Sequence, residues 1–456
     1  MYELISRIVR ILKKTMPSWL VRPLLPAYHR VLAFIMAFSY DFPARSLTVI
    51  GITGTKGKST TAEMVFSILH KAGYTTALLS TIRFAIEDTS EPNLFKMTLP
   101  GRGFAQAFMR KALDAGCTHI VIEITSESVL QYRHLFLYLD GLIVTNIQRE
   151  HIERHGSFAN YVEAKREIVN TLVRSNKPKR VLVTNADVPE SHSFLSSKVS
   201  KALRFSSHEL ENLSMNDRNV AFDHAGTHFS LPVPGTFNAM NALAAIKLCE
   251  AFNVPLSTCA EALATLPVVR GRVERIDAGQ DFIAVVDYAH TPDSLSALYE
   301  AFRMQRKICV LGNTGGGRDT WKRPEMGRIA DEACEKVILT NEDPYDEDPR
   351  AIVDAMVAGM SARGGSASGG KRTPDIIMDR RFAIRRALQI ALSLSKGAVP
   401  LDSARGAGNQ NIAVLISGKG TDPFIMGPHG TKIPWSDADV VREELKRLHF
   451  LRSGAS

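Results

Sequence analysis

The chain has 456 residues, 45% hydrophobic and 23% charged, proportions of a globular protein with room for two or three cores, which sets aside general disorder and a small stapled fold. A net charge of +9 suits an anionic partner; without an RNA-binding signature, zinc-finger spacing or an aromatic-interleaved basic run, nucleic acid is the weakest choice and a phosphorylated substrate the strongest. The cysteines, Cys117, Cys249, Cys259, Cys309 and Cys334, are scattered with no CxxC pair and read as buried reduced thiols.

Residues 2–15 set Ile5, Ile8, Val9 and Leu12 on one helical face and Arg7, Arg10, Lys13 and Lys14 on the other. This basic amphipathic helix reads first as docked on the rest of the protein and second as a peripheral membrane-surface anchor. The apolar run 31–40 is closed by Arg30 and Asp41; it is too short to cross a bilayer, and a glycine loop follows too soon to leave a signal-peptide cleavage site. A cytoplasmic location is expected. From Leu47 short apolar strands alternate with helices: LTVIGIT at 47–53, a helix from about Ser59, HIVIEIT at 119–125, GLIVTN at 141–146, RVLVTN at 180–185 and FIAVVDYAH at 282–290, then KICVLGN, KVILTNEDP and IAVLISGKG. The alternation predicts an α/β fold, with a central P-loop-type, doubly wound, mostly parallel sheet and a C-terminal Rossmann-like α/β domain, preceded by a short helical N-terminal segment. The expected boundaries are 1–46, 47–270 and 271–456. The Gly/Ser-rich stretches 361–370 and 395–411 read as mobile surface loops.

The turn after the first strand runs Gly51-Ile-Thr-Gly54-Thr55-Lys56-Gly57-Lys58-Ser59-Thr60. Glycines there let backbone N–H groups close around phosphate oxygens at a helix N-terminus. Lys58 offers a point charge to the outer phosphates and Ser59 a hydroxyl for magnesium. The spacing departs from the strict Walker pattern. The bland alternative, a tight glycine turn before a helix, is disfavoured by the position directly after an apolar strand in the first βα unit.

The string from Gly54 to Thr60 resembles the variant nucleotide loop of the Mur ligase family, whose members use ATP to activate a carboxylate as an acyl phosphate that an amine then attacks. The resemblance implies ATP and Mg2+ as cofactors, with nucleotide contacts from Gly54, Thr55, Lys56, Gly57, Lys58, Ser59 and Thr60. The segment Glu123-Ile-Thr-Ser126, with Gln131 and Arg133 downstream, is similar to the family's Glu-x-Ser-Ser segment, here with Thr125 and Glu127 where the family has Ser and His. A carboxylate at the C-terminal end of a strand is well placed to hold Mg2+, the alternative for Glu123 being a cap or salt bridge. Thr98, Ser126, Gln131 and Arg133 are implied substrate contacts. Thr145-Asn146, His151 and His155-Gly156 match the family's Thr-Asn-x-x-x-Asp-His-x-x-x-His-Gly, which implies Asn146 on the nucleotide and His151 on a second metal ion. Asn160-Tyr161-Val-Glu-Ala-Lys165 matches the segment whose lysine is carbamylated into an anionic metal ligand. The other reading of Lys165 is an ordinary exposed helical lysine.

Phe237-Asn238-Ala-Met-Asn241 is similar to the family's adenine-reading helix, so the resemblance gives Asn241 to the base while Asn238 N-caps an Ala-rich packing helix. The pair Gly271-Arg272-Val-Glu274 and Asp287-Tyr288-Ala-His290-Thr291-Pro292 is the most specific match. It implies Arg272 on the transferring phosphate and Asp287 and His290 on the nucleotide; Lys58, Lys165, Arg272 and His290 are the implied catalytic set. The string Gly315-Gly-Gly-Arg318-Asp319-Thr-Trp-Lys322-Arg323-Pro324 resembles a further family motif, a basic cluster suited to carboxylates and phosphates.

Tyr288 and Thr291 tilt the resemblance towards the cell-wall ligases that add the third amino acid to a UDP-MurNAc-peptide, and away from folylpolyglutamate or poly-γ-glutamate ligases. A catalytically silent nucleotide-binding module would not need Lys58, Glu123, His151 and Lys165 together. Two departures bear on the substrates. Fewer than 50 residues precede the phosphate loop, where the family carries a full UDP-binding domain. Where diaminopimelate-adding members read Asp-Asn-Pro-Arg, this chain reads Glu342-Asp343-Pro344-Tyr345, and Gly418-Lys419-Gly420-Thr421-Asp422 replaces Gly-Lys-Gly-His-Glu. Arg318, Asp343, Tyr345 and Lys419 are the implied amino-acid contacts. The acids Glu342, Asp343, Asp346, Glu347 and Asp348 either attract a side-chain ammonium such as that of lysine or merely face solvent. The expected protein is a monomer working on small molecules, with no nucleic acid and no stable membrane insertion.

Overall fold

The structure is a computed structural model that describes residues 25–95, 97–101, 103–150, 152–317, 319–360, 373–396 and 411–453. The amphipathic stretch 2–15, the stretch 361–370 and nearly all of 395–411 lie outside the described residues. The chain divides into two compact units, one of residues 1–149, 157–207 and 242–262, the other of 150–156, 208–241 and 263–456.

In the first unit a helix α1 (Leu25–Ser39) leads to β1 (Thr48–Thr53) and α2 (Lys58–Lys71). There follow β2 (Thr76–Leu79), β3 (Arg83–Ile86), β4 (Thr89–Pro92), α3 (Phe104–Asp114), β5 (His119–Glu123), α4 (Ser126–Leu130), β6 (Gly141–Val144), α5 (Phe158–Val173), β7 (Val181–Asn185) and β8 (Lys201–Phe205). They make one sheet in the order β4-β3-β2-β5-β1-β6-β7-β8, parallel except for β3 and β4. Helices cover both faces, so the parallel strands need no polar side, and TVIGIT, HIVIE and GLIV read as near-continuous apolar runs. The chain passes from β1 outward to β2 and from β5 across to β6, so β1 lies between β5 and β6 at a switch point. The register sets Ile52 against Glu123 and Thr53 against Val144. The phosphate loop, the Glu123 carboxylate and Thr145-Asn146 therefore leave the sheet at one edge.

The second unit holds an antiparallel sheet of β9 (Glu211–Met215), β10 (Val220–His224) and β11 (Thr227–Leu231). After β11 in the chain come α6 (Thr236–Ala251) and α7 (Leu256–Ala264). The unit's larger sheet has the order β12-β13-β17-β14-β15-β16. Its strands are β12 (Glu274–Arg275), β13 (Ile283–Val286), β14 (Arg306–Leu311), β15 (Lys336–Leu339), β16 (Asp375–Ile376) and β17 (Ile412–Ile416), a hairpin of β18 (Phe424–Met426) and β19 (Lys432–Pro434) following. Its helices are α8 (Pro292–Ala301), α9 (Lys322–Ala333), α10 (Pro349–Met360), α11 (Arg380–Lys396) and α12 (Asp437–Ser453). A Thr291–Ser294 capping box with Pro292 in the first turn starts α8. Asp287, Gly312, Thr340 and Ser417 each follow a parallel strand, so β13, β14, β15 and β17 deliver their loops to a shared edge. α9 and α10 meet backbone to backbone: a Cβ on Gly327 would stand 2.0 Å from Met356 O, and one on Gly359 1.8 Å from Pro324 O.

The cysteine expectation is corrected in part. Cys309 and Cys334 form a disulfide with Cα atoms 6.2 Å apart, while Cys117, Cys249 and Cys259 are buried free thiols. Cys334 ends α9, which folds back over β14, so residues 25 apart in sequence become neighbours through the helix–strand return and not through any spacing a motif could show.

Candidate active site

In the first unit the phosphate loop is held by its neighbours. Gly54 has φ 144° and a Cβ there would fall 1.9 Å from Thr145 Oγ1, so only glycine fits. Gly57, φ 79°, turns the chain into α2. The Thr55 amide donates to Asn146 O at 3.0 Å and the Lys56 amide to Asn146 Oδ1 at 2.8 Å, while Asn146 Nδ2 donates back to Lys56 O at 3.2 Å. Asn146, assigned to the nucleotide by resemblance, is thus a brace of the loop that would surround it. Lys58 Nζ donates to Gly54 O at 3.0 Å and Thr55 O at 2.9 Å, and Thr60 is buried in the first turn of α2.

Lys165 is 1% exposed, which overturns its reading as a surface lysine. One turn after Tyr161 on α5, its Nζ donates to Thr53 Oγ1 at 3.1 Å and Gly54 O at 2.8 Å and lies 5.4 Å over the Tyr161 ring. Tyr161 OH is 2.8 Å from Thr55 Oγ1, so both side chains touch the phosphate loop. Tyr161 was legible only as part of the lysine's string. Glu123, 0% exposed, accepts from Ser59 Oγ at 3.2 Å, from the Thr81 amide at 2.8 Å and from Thr81 Oγ1 at 2.9 Å. The Thr81 hydroxyl, on no recognised string, also lies 2.9 Å from Thr98 Oγ1, linking the carboxylate to an implied substrate contact. Arg133 Nη1 donates to Leu99 O at 2.6 Å and Nη2 to Gln131 Oε1, so Thr98, Gln131 and Arg133 share one neighbourhood. Ser126, 2% exposed, starts α4, where Thr125 serves as N-cap by accepting from the Ser128 amide.

Among the described residues no three His, Cys, Asp or Glu side chains converge as a metal cluster. The hard oxygens of Ser59 and Glu123 beside a phosphate loop nevertheless fit Mg2+. His151 and Arg318 lie outside the described residues.

In the second unit, Asn238 does not cap α6: it sits inside the first turn, its Nδ2 donating to Pro234 O at 2.7 Å, because Gly235 already makes the turn into the helix. Asn241 is 6% exposed. Asp287 is committed internally, each oxygen accepting a backbone N–H at 2.7 Å, from Val273 and from Ala289. This ties the Arg272 loop to the end of β13. Arg272 stacks on Tyr288 at 4.5 Å. Tyr288 holds its proton well above the usual phenol range, first because of the Asp422 charge and then because of burial. His290 Nδ1 lies 2.7 Å from Tyr288 O and Nε2 3.0 Å from Glu150 Oε1.

In the acidic loop after β15, Glu342 and Asp343 are buried, Glu347 is half-buried, and Asp346 and Asp348 are exposed. Asp343 is 3% exposed; it accepts from Lys419 Nζ at 2.8 Å and from the Met426 amide at 2.8 Å. Glu342, 2% exposed, accepts from Thr314 Oγ1 at 2.8 Å, and burial raises its pKa. Glu347 pairs with Arg323 at 2.8 Å, Asp346 accepts from the His429 amide at 2.7 Å, and Asp348 from the Arg350 amide at 2.9 Å. The reading of these acids as merely facing solvent is corrected for Glu342, Asp343 and Glu347, which are covered and engaged inside the loop, while Asp346 and Asp348 stay exposed. Tyr345 itself sits at φ 52°. Behind the loop, Arg380, 2% exposed, binds Asp437 at 2.6 Å and Ser417 O at 2.8 Å, a positioning pair that no string pointed to.

The Mur ligase middle domain model matches residues 52–249 and the model described as Mur ligase, glutamate ligase domain matches 271–406. A UDP-N-acetylmuramyl-tripeptide synthetase of Roseiflexus sp. (strain RS-1) is 33% identical over 464 residues, covering 95% of this chain and 86% of its own. A UDP-N-acetylmuramoyl-L-alanyl-D-glutamate--2,6-diaminopimelate ligase of Chlorobaculum tepidum is 33% identical, covering 93% and 81%. Among solved structures, a ligase of that same name matches with TM-score 0.58 at 25% identity over 88% of this chain and 79% of its own. Folylpolyglutamate synthase of Mycobacterium tuberculosis, complexed with ADP and AMPPCP, matches in fold with TM-score 0.65 at 18% identity over 88% and 97%. Shared over 95% of this chain and 86% of the Roseiflexus relative, this identity settles the classification: the chain belongs to the Mur ligase family of ATP-dependent acid–amino-acid ligases.

Proposed function

We propose that this ligase extends a UDP-MurNAc-peptide by one amino acid in peptidoglycan precursor synthesis, with domains at 47–270 and 271–456. The observation that carries the reading is the phosphate loop with Lys58, Ser59, Glu123 and Lys165 gathered on it, in a chain a third identical to tripeptide synthetases. The γ-phosphoryl of ATP passes to the peptide carboxylate, giving an acyl phosphate and ADP. The amine then attacks the acyl carbon, phosphate leaves, and an amide forms. Backbone amides of residues 54–60 and the Lys58 ammonium neutralise the transferring group. Arg272, fixed over Tyr288, carries the second positive charge, and Asn241 reads the adenine edge. Ser59, Glu123, a carbamylated Lys165 and His151 would hold Mg2+, which would supply charge neutralisation at the phosphates. Thr98, Ser126, Gln131 and Arg133 hold the peptide substrate.

The test is phosphate release with mass detection of the product, offering UDP-MurNAc-dipeptide or folate glutamates with a panel of amino acids. Amide formation on the UDP-linked peptide is the expected result. Turnover on folate glutamates alone would overturn the reading.

A further inference from the structure

The helix α1 is apolar all round. In LPAYHRVLAFIMAFS Arg30 is the sole fixed charge, and burial claims only Leu32 and Ala37. Val31, Phe34 and Phe38, at helical spacings of three and four, form one stripe and are 57%, 50% and 68% exposed. The stripe continues off the helix: Phe34 lies 6.0 Å from Phe42 and 5.9 Å from Phe136, and Phe38 6.4 Å from Phe42. Phe42 and Phe136 hold φ of 45° and 61°, a costly region for bulky side chains. Two arginines edge the cluster. Arg30 stacks on Tyr132 at 4.7 Å and Arg45 on Phe42 at 4.2 Å.

Residues 1–45 contain seven Lys and Arg (Arg7, Arg10, Lys13, Lys14, Arg22, Arg30, Arg45) against Glu3 and Asp41, five of the chain's nine net positive charges. We infer that this aromatic face is a peripheral docking surface for an anionic phospholipid bilayer. Val31, Phe34 and Phe38 enter the headgroup boundary, where aromatic rings are favoured, and Arg30 and Arg45 meet lipid phosphates. Charge selects this occupant over the others. A second copy, or the chain's own residues 1–24 folding back, would bring cations against Arg30 and Arg45, whereas an anionic surface complements them. α1 lies on the bilayer and does not cross it, since its 15 residues reach about 22 Å, short of a hydrocarbon core.

The experiment is co-sedimentation of the full chain with vesicles of phosphatidylcholine alone and of phosphatidylcholine mixed with phosphatidylglycerol, at low and high salt. The wild type is expected to partition onto the phosphatidylglycerol vesicles and to release with salt. Phe34→Asp/Phe38→Asp should reduce that partitioning by about tenfold or more, and Arg30→Gln/Arg45→Gln by less. Met304→Asp, a change at an apolar residue 79% exposed in the second unit, should partition like the wild type. Phe34→Ser/Phe38→Ser gives the same reading if the aspartate pair fails to fold. Wild type that stays in the supernatant with every vesicle, or phenylalanine variants that sediment as the wild type does, would overturn the inference. So would a lipid-free dimer that the phenylalanine variants convert to monomer, because a second copy would then be the occupant.

Discussion

Lys58 and Lys165 show how much one side chain is asked to do. Lys58 brings a mobile point charge to a loop otherwise made of backbone dipoles, so Lys58→Ala should lower ATP turnover by about a hundredfold or more; phosphate release under saturating ATP measures it. Unchanged turnover would remove the phosphate-loop assignment. Lys165 is buried against Thr53 Oγ1 and Gly54 O, where a carbamate would reverse its charge beside bound phosphates. Lys165→Ala should lose most activity, with partial recovery in added acetate or another short carboxylate; full activity without rescue would make the lysine a packing residue. Its burial was not legible. The sequence offers an i, i+4 Tyr–Lys pair on a helix, and whether that face looks at solvent or at β1 depends on where α5 lands.

At the scale of elements, sequence reading worked where elements are long and their chemistry local. The parallel strands were visible as apolar runs because both faces are buried, and the glycine loop because Gly54 and Gly57 need conformations other residues resist. The four-residue strands β2, β3 and β4 left no period to read, which is why Thr81, in the loop between β2 and β3, was missed although it holds Glu123. The acidic loop after β15 failed for another reason. Sequence shows the acids but not the donors that β18, Lys419 and Arg323 bring to them. With Glu342, Asp343 and Glu347 engaged and a phenol at 345, the loop presents no guanidinium fork of its own. Competition between lysine and diaminopimelate for the amine site should therefore show no advantage of tenfold or more for diaminopimelate; such an advantage would mean that Arg318 or another base supplies the fork.

For the whole molecule, buried histidines contribute to the response to acid. His119 is held down to about 4 by burial, and His134 is lowered by burial as well. A histidine whose folded pKa lies below its unfolded value binds more protons when unfolded, so its stabilising contribution is complete above about pH 6.5 and is lost as pH falls towards 4. The urea midpoint should drop between pH 7 and pH 4.5, and His119→Asn should flatten that slope by on the order of 1–2 kcal/mol. A variant with an unaltered slope would assign the acid response elsewhere.

The close approach of α9 and α10 has a consequence for anyone scoring this protein by mutational tolerance. Gly327 and Gly359 each leave no space for a methyl group against the opposite backbone, and α9 is the helix that begins with the buried Lys322 and Arg323. In a saturation library selected for growth or turnover, both glycines should be as intolerant of alanine as Lys58 is, although neither offers a group to any ligand. Soluble yield separates the two kinds of position: Lys58→Ala should accumulate to wild-type levels, while Gly327→Ala and Gly359→Ala should be depleted or aggregate. Intolerance in the helix pair would then report how closely two helices must sit for the basic string at the start of α9 to stay in register with β14, a fitness cliff set by a fraction of a nanometre of backbone spacing and not by chemistry.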